Sequence, residues 1–195
     1  MSNVIKIYIY DKTQIIDNYL NLPSQIISHC SIYPENKKLI SLSNYFYLQQ
    51  KLLENQLDNL DDIEFDKHGK PYLKNMNISI SHSDSLFGFA ISDKDNIGID
   101  IEAIGRFNDK LSTKILNKEE IKEYNCCEDK SSYLAKKWCQ KEALSKLIGT
   151  GLTKNILKQT PKYFKEFKIE NNIIVLVSNQ DIVYEIYLND KLLLL

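Results

Sequence analysis

The chain has 195 residues, of which 43% are hydrophobic and 26% are charged, and its net charge at pH 7 is −1. This composition predicts a globular protein with a core, and it excludes a disordered chain and the overall basic charge typical of nucleic-acid-binding proteins. No stretch reaches the roughly 18 consecutive apolar residues of a membrane span. Residues 1–10 lack the apolar run of a secretory signal. We therefore expect a cytoplasmic protein with reduced cysteines that binds neither nucleic acid nor membrane.

The first half of the chain is predicted to combine helices with a small sheet. Residues 4–10 alternate between apolar and polar side chains, which is typical of a strand, and residues 39–57 carry apolar side chains at helical spacing. A turn over residues 67–71 then leads into further strands. These strands are predicted at residues 77–81, 86–92 and 97–101.

The second half repeats this plan. One helix is predicted over residues 112–124, with residues 116–120 at or near its beginning, and a longer helix over residues 130–148 is predicted to stop at Gly149. Turn-like joins rich in asparagine separate the strands that follow. These strands are predicted at residues 164–169, 173–177 and 183–188.

The element order predicts an α+β fold with two similar halves, residues 1–98 and 99–195. In each half, helices are expected to pack on a small and mainly antiparallel sheet. We find no clear sequence repeat between the halves, so their relation by a pseudo-two-fold axis is an expectation from the order of elements.

Asp100 and Glu102 are the first pair of candidate site residues. They alternate with Ile99 and Ile101, so on a strand both carboxylates lie on one face while the isoleucines anchor the other. A D-x-E pattern alone is also typical of an exposed edge strand. Clustered like charges are costly unless a cation compensates them, and two carboxylates can share an Mg²⁺ ion with phosphate oxygens and water.

Glu142 and Lys146 are the second pair, four residues apart and therefore on one face of the predicted helix. Such a pair on a surface contributes only about 0.3 kcal/mol and is by itself uninformative. Trp138, the single tryptophan, precedes Glu142 by one turn and favours a partly buried position. Three carboxylates and a lysine suit Mg²⁺-assisted chemistry on a phosphate, so the two pairs together predict a metal–phosphate site.

Four motifs are more specific in their order than they are singly. They are G-K-P at residues 69–71, S-x-S-H-S at 79–83, G-I-D-I-E at 98–102, and W-x-x-K-E-A-x-x-K-x-x-G-x-G-L at 138–152. In this order they resemble the 4′-phosphopantetheinyl transferase superfamily. The chain length and the paired halves are similar to its monomeric, surfactin-synthetase-activating branch. The motif region, residues 67–152, covers less than half of the chain.

The resemblance implies a magnesium-dependent enzyme that moves the 4′-phosphopantetheine group of coenzyme A onto a serine of an apo acyl or peptidyl carrier protein and releases 3′,5′-ADP. It implies that Asp100, Glu102 and Glu142 hold Mg²⁺ against the coenzyme A pyrophosphate. Glu142 would also take the proton of the carrier serine, directly or through water. Lys146 would stabilise or protonate the leaving phosphate.

Other positions carry over as coenzyme A contacts, which places nucleotide binding in the first half and catalysis in the second. His82 and Ser81 would contact the phosphates, whereas Lys70 and Pro71 would line the nucleotide pocket. Lys141 is a further candidate phosphate contact.

Two features of the family are matched less well. The basic N-terminal segment that grips the 3′-phosphate has Lys37 and Lys38 as its nearest candidates. An assisting acid near the start of the helix over residues 112–124 is expected at Glu120, with Glu119 as the alternative.

Two other functions stay open from the residues. A non-catalytic module that binds coenzyme A or a nucleotide would keep the lysines but not need the three carboxylates. Another Mg²⁺-dependent phosphoryl-transfer enzyme, such as a phosphoesterase, often needs two metals, and one acidic cluster is visible here. The carrier and its pathway (fatty acid, polyketide or nonribosomal peptide) are not readable from the sequence, although the lysine-rich residues 130–168 could receive an acidic carrier.

Overall fold

The computed structural model describes residues 4–57 and 59–193, so the outer ends of the two predicted halves, residues 1–3 and 194–195, lie outside it. The fold is α+β, as predicted. The helices are α1 (Ser24–Cys30), α2 (Glu35–Glu54), α3 (Ser112–Ile115), α4 (Lys118–Cys126) and α5 (Lys130–Ile148). The strands are β1 (Val4–Asp11), β2 (Glu64–Phe65), β3 (Pro71–Tyr72), β4 (Asn77–His82), β5 (Leu86–Ser92), β6 (Ile97–Ala103), β7 (Tyr163–Ile169), β8 (Asn172–Ser178), β9 (Val183–Leu188) and β10 (Lys191–Leu192).

Two main sheets carry the fold. The first has the strand order β10-β9-β1-β5-β4, and the second has the order β6-β8-β7 and is antiparallel throughout. Strand β1 pairs antiparallel with β5 but parallel with β9. The C-terminal hairpin β9–β10 thus returns to the first sheet, and the expected boundary between residues 98 and 99 falls within β6. Strands β2 and β3 form a separate small ribbon.

The two sheets pack face to face, and a helix covers the outer face of each. Alternation along β1 directs Ile5, Ile7 and Ile9 into the core between the sheets, whereas Tyr8 and Tyr10 face α2. On the second sheet, the outward-facing side chains of β8 pack against α5. This layering explains why these strands are apolar on both faces. Among the described residues, no helix has the length and apolar character needed to cross a membrane.

Helix α5 lies unusually close to β6 at Gly98. A Cβ atom at this position would be 2.0 Å from the carbonyl oxygen of Ala143 and 2.8 Å from the nitrogen of Leu147. Glycine permits this approach, which brings the polar face of β6 next to the helix. The predicted bounds of α5 are confirmed, and Gly149 ends it in a left-handed conformation with φ +77°.

The prediction of a single helix over residues 112–124 is wrong, because the segment forms two helices. Helix α3 ends at Ile115, and Leu116 is extended with ψ 142°. Helix α4 then begins with a capping box, in which the Asn117 side chain accepts a hydrogen bond from the Glu120 N–H and the Glu120 side chain accepts one from the Asn117 N–H. Asn117 favours a helix start rather than a helix interior, because its side chain competes for backbone donors.

Candidate functional site

A cavity of about 390 Å³ opens where β4 of the first sheet meets β6 of the second, beneath α5. Residues of the G-K-P turn and helices α1 and α2 form its other wall. Most of the predicted site residues line it. They are Lys37, Pro71, Ser81, His82, Asp100, Glu102, Glu142 and Lys146.

Asp100 is buried, and its two carboxylate oxygens have different surroundings. Oδ1 accepts hydrogen bonds from Lys146 Nζ and Ser81 Oγ, both at 2.9 Å. Oδ2 is buried and accepts no hydrogen bond from the described residues. The nearby Cys139 thiol donates to the Ile173 carbonyl oxygen at 3.3 Å and also interacts with Asp100. A buried carboxylate oxygen that lacks a donor is costly, and a cation would compensate it.

Glu102 lies two residues further along the same face of β6. Arg106 Nη1 donates to both of its oxygens, at 2.6 and 2.5 Å, and Trp138 also donates to the carboxylate. Burial, and next the negative charge of Asp100, raise the pKa of Glu102 to about 7 despite these donors. A second positive charge would therefore stabilise the ionised carboxylate.

Glu142 faces these acids from α5. Burial, followed by the charge of Asp100, raises the pKa of Glu142 above its ordinary value. Its nearest hydrogen-bonding side chain is Ser145, whose hydroxyl lies 3.5 Å from Oε2. A carboxylate that is desolvated and weakly hydrogen-bonded is available for proton transfer or metal binding.

Lys146 joins the two sheets at the floor of the cavity. Its Nζ lies 2.9 to 3.1 Å from four oxygens: the Ile80 and Ile99 carbonyls, Ser81 Oγ and Asp100 Oδ1. Its ion-pair partner is Asp100, on another element, rather than its neighbour Glu142 on the helix. The helical spacing of Glu142 and Lys146 correctly predicted that both lie on one face of α5. It did not reveal the contact between Lys146 and Asp100.

The donor set fits a hard divalent cation. Asp100, Glu102 and Glu142 offer carboxylate oxygens to one cavity, and Asp100 Oδ2 lacks a donor. Within the described part of the chain, no three His, Cys, Asp or Glu residues are gathered closely enough to enclose a metal by themselves. This arrangement suits a metal that draws remaining ligands from phosphate and water, as Mg²⁺ does.

A second cavity of about 300 Å³ adjoins the first and shares Pro71, Glu142 and Lys146 with it. Lys70 lines this second cavity, next to the glycines of the G-K-P turn and of the turn after α5. Burial lowers the pKa of Lys70. The G-K-P turn therefore borders both cavities, each of about the size of a nucleotide fragment.

Two predicted contacts do not reach either cavity. Lys141 is 1% exposed, with its Nζ 2.9 Å from Glu120 Oε2 and 3.2 Å from the Gln159 carbonyl oxygen. Its aliphatic stem and ammonium are held between α5 and α4, so it has no access to a phosphate in these cavities. Lys38 pairs instead with Glu35, at 3.4 Å.

Several cavity residues were missed by the sequence reasoning. Arg106 and Trp138 contact Glu102, but neither was proposed as a site contact. Others come from α1, α2 and the link between them, where no recognised motif marks them. They are His29, Tyr33, Ser41 and Tyr45. Of the two candidate assisting acids, Glu120 is buried and Glu119 is exposed, although Glu120 lines neither cavity.

Comparisons with known proteins match the part of the chain that carries the carboxylates. The sequence model of the 4′-phosphopantetheinyl transferase superfamily matches residues 96–184. A holo-[acyl-carrier-protein] synthase of Buchnera aphidicola subsp. Acyrthosiphon pisum (strain Tuc7) is 41% identical over 76 residues, which are 35% of this chain and 60% of that protein. A protein with the same name from Vibrio campbellii (strain ATCC BAA-1116) is 32% identical over 71 residues, 36% of this chain and 52% of its own length.

A third relative is matched over more of its length. The holo-[acyl-carrier-protein] synthase of Ehrlichia ruminantium (strain Gardel) is 35% identical over 104 residues, 48% of this chain and 85% of that protein. The match to the Buchnera protein, in contrast, spans less than two thirds of its length. The family region contains Asp100, Glu102, Glu142 and Lys146 but not His82. On this coverage and identity, the chain belongs to the 4′-phosphopantetheinyl transferase superfamily.

Proposed function

We propose that the protein transfers the 4′-phosphopantetheine group of coenzyme A to a serine of an apo carrier protein, in a reaction that requires Mg²⁺ and releases 3′,5′-ADP. The observation that carries this proposal is the meeting of two buried carboxylates from β6 with a half-buried carboxylate and a lysine from α5, in a cavity that also holds His82. The proposal agrees with the family and with the names of its relatives.

Coenzyme A would bind across both cavities. Lys37, His82 and Lys146 place positive or hydrogen-bonding groups around the larger cavity, where the phosphates would lie. Lys70 and Pro71 would contact the nucleotide in the adjoining cavity. Asp100, Glu102 and Glu142 would hold Mg²⁺, which neutralises phosphate charge and orients the pyrophosphate.

Glu142 is the proposed base. It would take the proton from the carrier serine, whose oxygen then bonds to the phosphorus of the phosphopantetheine arm while the bond from this phosphorus to the leaving 3′,5′-ADP oxygen breaks. The raised pKa of Glu142 brings the proton affinity of its carboxylate closer to the value that a general base needs near neutral pH. Lys146, fixed by Asp100 and two carbonyl oxygens, would stabilise the charge on the leaving phosphate.

A single chain supplies both walls of this site, which supports a monomeric enzyme of the surfactin-synthetase-activating type. The location that we propose for it is the cytoplasm. The acidic carrier would approach the exposed lysines of the lysine-rich stretch over residues 130–168. These are Lys130, Lys154, Lys158, Lys162 and Lys168. Other lysines of the same stretch, such as Lys141, are internal and cannot contribute to such docking.

The proposed function is tested by incubating the protein with coenzyme A, Mg²⁺ and a panel of apo acyl and peptidyl carrier proteins. Mass spectrometry should detect carriers that have gained phosphopantetheine. Glu142→Gln should reduce the transfer rate by about 10²- to 10⁴-fold, the usual contribution of a general base. Glu119→Gln is the matched control, because Glu119 is exposed on α4 and lines neither cavity.

The controls separate loss of chemistry from loss of structure. Both variants should melt as the wild-type protein does, and Glu119→Gln should retain wild-type transfer. If no carrier of a varied panel gains mass, the proposed function is wrong. If Glu142→Gln transfers at the wild-type rate, Glu142 is not the base.

A further inference from the structure

Two cations neutralise the carboxylates of the site, and they are held very differently. Lys146 contacts four oxygens from β4 and β6, so it is fixed in place. Arg106 contacts Glu102 alone among the described carboxylates, and its side chain is 56% exposed. Of the two, only Arg106 can leave without breaking the junction between the sheets.

The Arg106 side chain has free space beside its present position. It follows β6 in a turn that contains Gly105 at φ +94°, and its guanidinium lies 5.5 Å from the centre of the Phe107 ring. A small cavity of about 140 Å³ lies beside it and is also lined by Lys37, His82 and Asp84. A guanidinium released from Glu102 would therefore remain next to the proposed phosphate-binding wall.

Arg106 and a divalent cation would compete for the same two atoms. Nη1 lies within 2.6 Å of both Glu102 oxygens, so a cation that binds both oxygens from the same side must displace it. A cation of charge +2 would also repel a guanidinium held at this distance. An incoming phosphate, in contrast, offers arginine an alternative partner of matching geometry.

We propose that Arg106 is a displaceable counter-ion that holds Glu102 in the free protein and yields it to the metal when coenzyme A arrives. This inference rests on the proposed function, because it assigns to Arg106 the regulation of that metal site. It explains how two buried acids and a half-buried third are tolerated side by side before the metal binds. Coenzyme A and the metal would then bind cooperatively, since the phosphates take up the arginine that the metal displaces.

The test measures Mn²⁺ binding directly, by the electron paramagnetic resonance signal of free Mn²⁺, with and without coenzyme A and without any carrier. Arg106→Gln should bind Mn²⁺ about tenfold more tightly than the wild type in the absence of coenzyme A, as expected for loss of one competing ion pair. Coenzyme A should increase Mn²⁺ affinity strongly in the wild type and much less in Arg106→Gln.

Lys37→Gln is the matched control, because Lys37 lines the same two cavities and carries the same charge but does not contact Glu102. It should change Mn²⁺ affinity in the absence of coenzyme A by less than about threefold, the effect of charge alone. If Arg106→Gln binds Mn²⁺ no more tightly than Lys37→Gln, the inference about Arg106 is wrong and the metal site stands. If the wild type binds no Mn²⁺ even with saturating coenzyme A, the proposed metal site itself is wrong, and the inference with it.

Discussion

Lys141, the residue that precedes the proposed base Glu142, is buried because it forms an ion pair with Glu120. Lys141 Nζ lies 3.1 and 2.9 Å from the two oxygens of Glu120, and Lys137 is a more distant second cation at 3.8 Å. Burial outweighs these contacts and lowers the pKa of Lys141. The pair connects α4 to α5 at the position that precedes Glu142. It therefore contributes to the site by fixing the catalytic helix, without touching a ligand.

We expect Lys141→Met to lower the free energy of unfolding by about 3 kcal/mol, because it leaves the buried Glu120 carboxylate short of a partner. The double variant Glu120→Gln/Lys141→Met removes both charges and keeps the capping acceptor, so it should regain part of this loss. Lys38→Met is the control at the pair with Glu35, in which Lys38 is half-buried and Glu35 is exposed, and it should change stability by less than about 0.5 kcal/mol. Denaturant unfolding followed by circular dichroism measures all three, and equal losses in Lys141→Met and Lys38→Met would contradict a stabilising role for the buried pair.

Local spacing explains which site residues the sequence could predict. Asp100 and Glu102 share a face because strands have a period of two, and Glu142 and Lys146 share one because helices have a period near four. Spacing within one element does not identify the partner across the cavity. The contact from Lys146 to Asp100 was therefore not predictable. The contact from Arg106 to Glu102 is local, but it depends on the turn after β6, whose shape the strand spacing does not reveal.

At the scale of helices and strands, too, the sequence predicts local features but not contacts between distant segments. The bounds of β5, β9 and α5 were predicted to the residue, since alternation and a stop at Gly149 mark them in the sequence itself. The parallel pairing of β1 with β9 joins segments more than 170 residues apart, and no local pattern encodes it. The break before α4 was encoded locally, in the capping box, but was not recognised.

We expect Gly98→Ala to destabilise the protein by about 3 kcal/mol or more, because its Cβ would overlap the backbone of α5 rather than a flexible side chain. Relief requires β6 and α5 to separate, which moves Asp100 away from Glu142. Gly105→Ala is the control, since its Cβ would meet no atom within 4 Å and only its positive φ opposes the change. It should cost about 1 kcal/mol. Thermal melting compares the two, and a Gly98→Ala protein as stable as Gly105→Ala would show that α5 can move away freely.

At the scale of the whole molecule, the two sheets are joined by polar contacts between β4 and β6. Ser79 Oγ accepts the Ile99 N–H at 3.0 Å, and Ser81 Oγ accepts the Ile101 N–H at 3.2 Å, so side chains of β4 satisfy the edge of β6. The serine hydroxyls thus take the place of backbone carbonyls along this edge. Because the proposed site lies across the same junction, its geometry depends on both halves being folded together.

A buried asparagine makes a second junction. Asn172, at the start of β8, accepts a hydrogen bond from Ser83 Oγ at 2.8 Å and donates one to Ser85 Oγ at 2.9 Å. These serines belong to the turn that follows His82, so a residue of the second sheet positions a loop of the first. With the β1–β9 pairing, this contact makes the halves a single structural unit, although the element order alone suggested two similar ones.

We therefore expect one cooperative unfolding transition, and we expect Asn172→Ala to shift it without splitting it. The variant leaves the hydroxyls of the buried Ser83 and the half-buried Ser85 without their partner, at about 1–3 kcal/mol, which corresponds to a fall in Tm of about 2–12 °C for a chain of this size. Trp138 fluorescence reports the second half and tyrosine near-ultraviolet circular dichroism reports mainly the first sheet, and both should shift together. Asn171→Ala, at the exposed neighbouring position, should leave Tm nearly unchanged. Separate transitions by the two probes would mean that the halves unfold independently, and that the junction at Asn172 does not couple them.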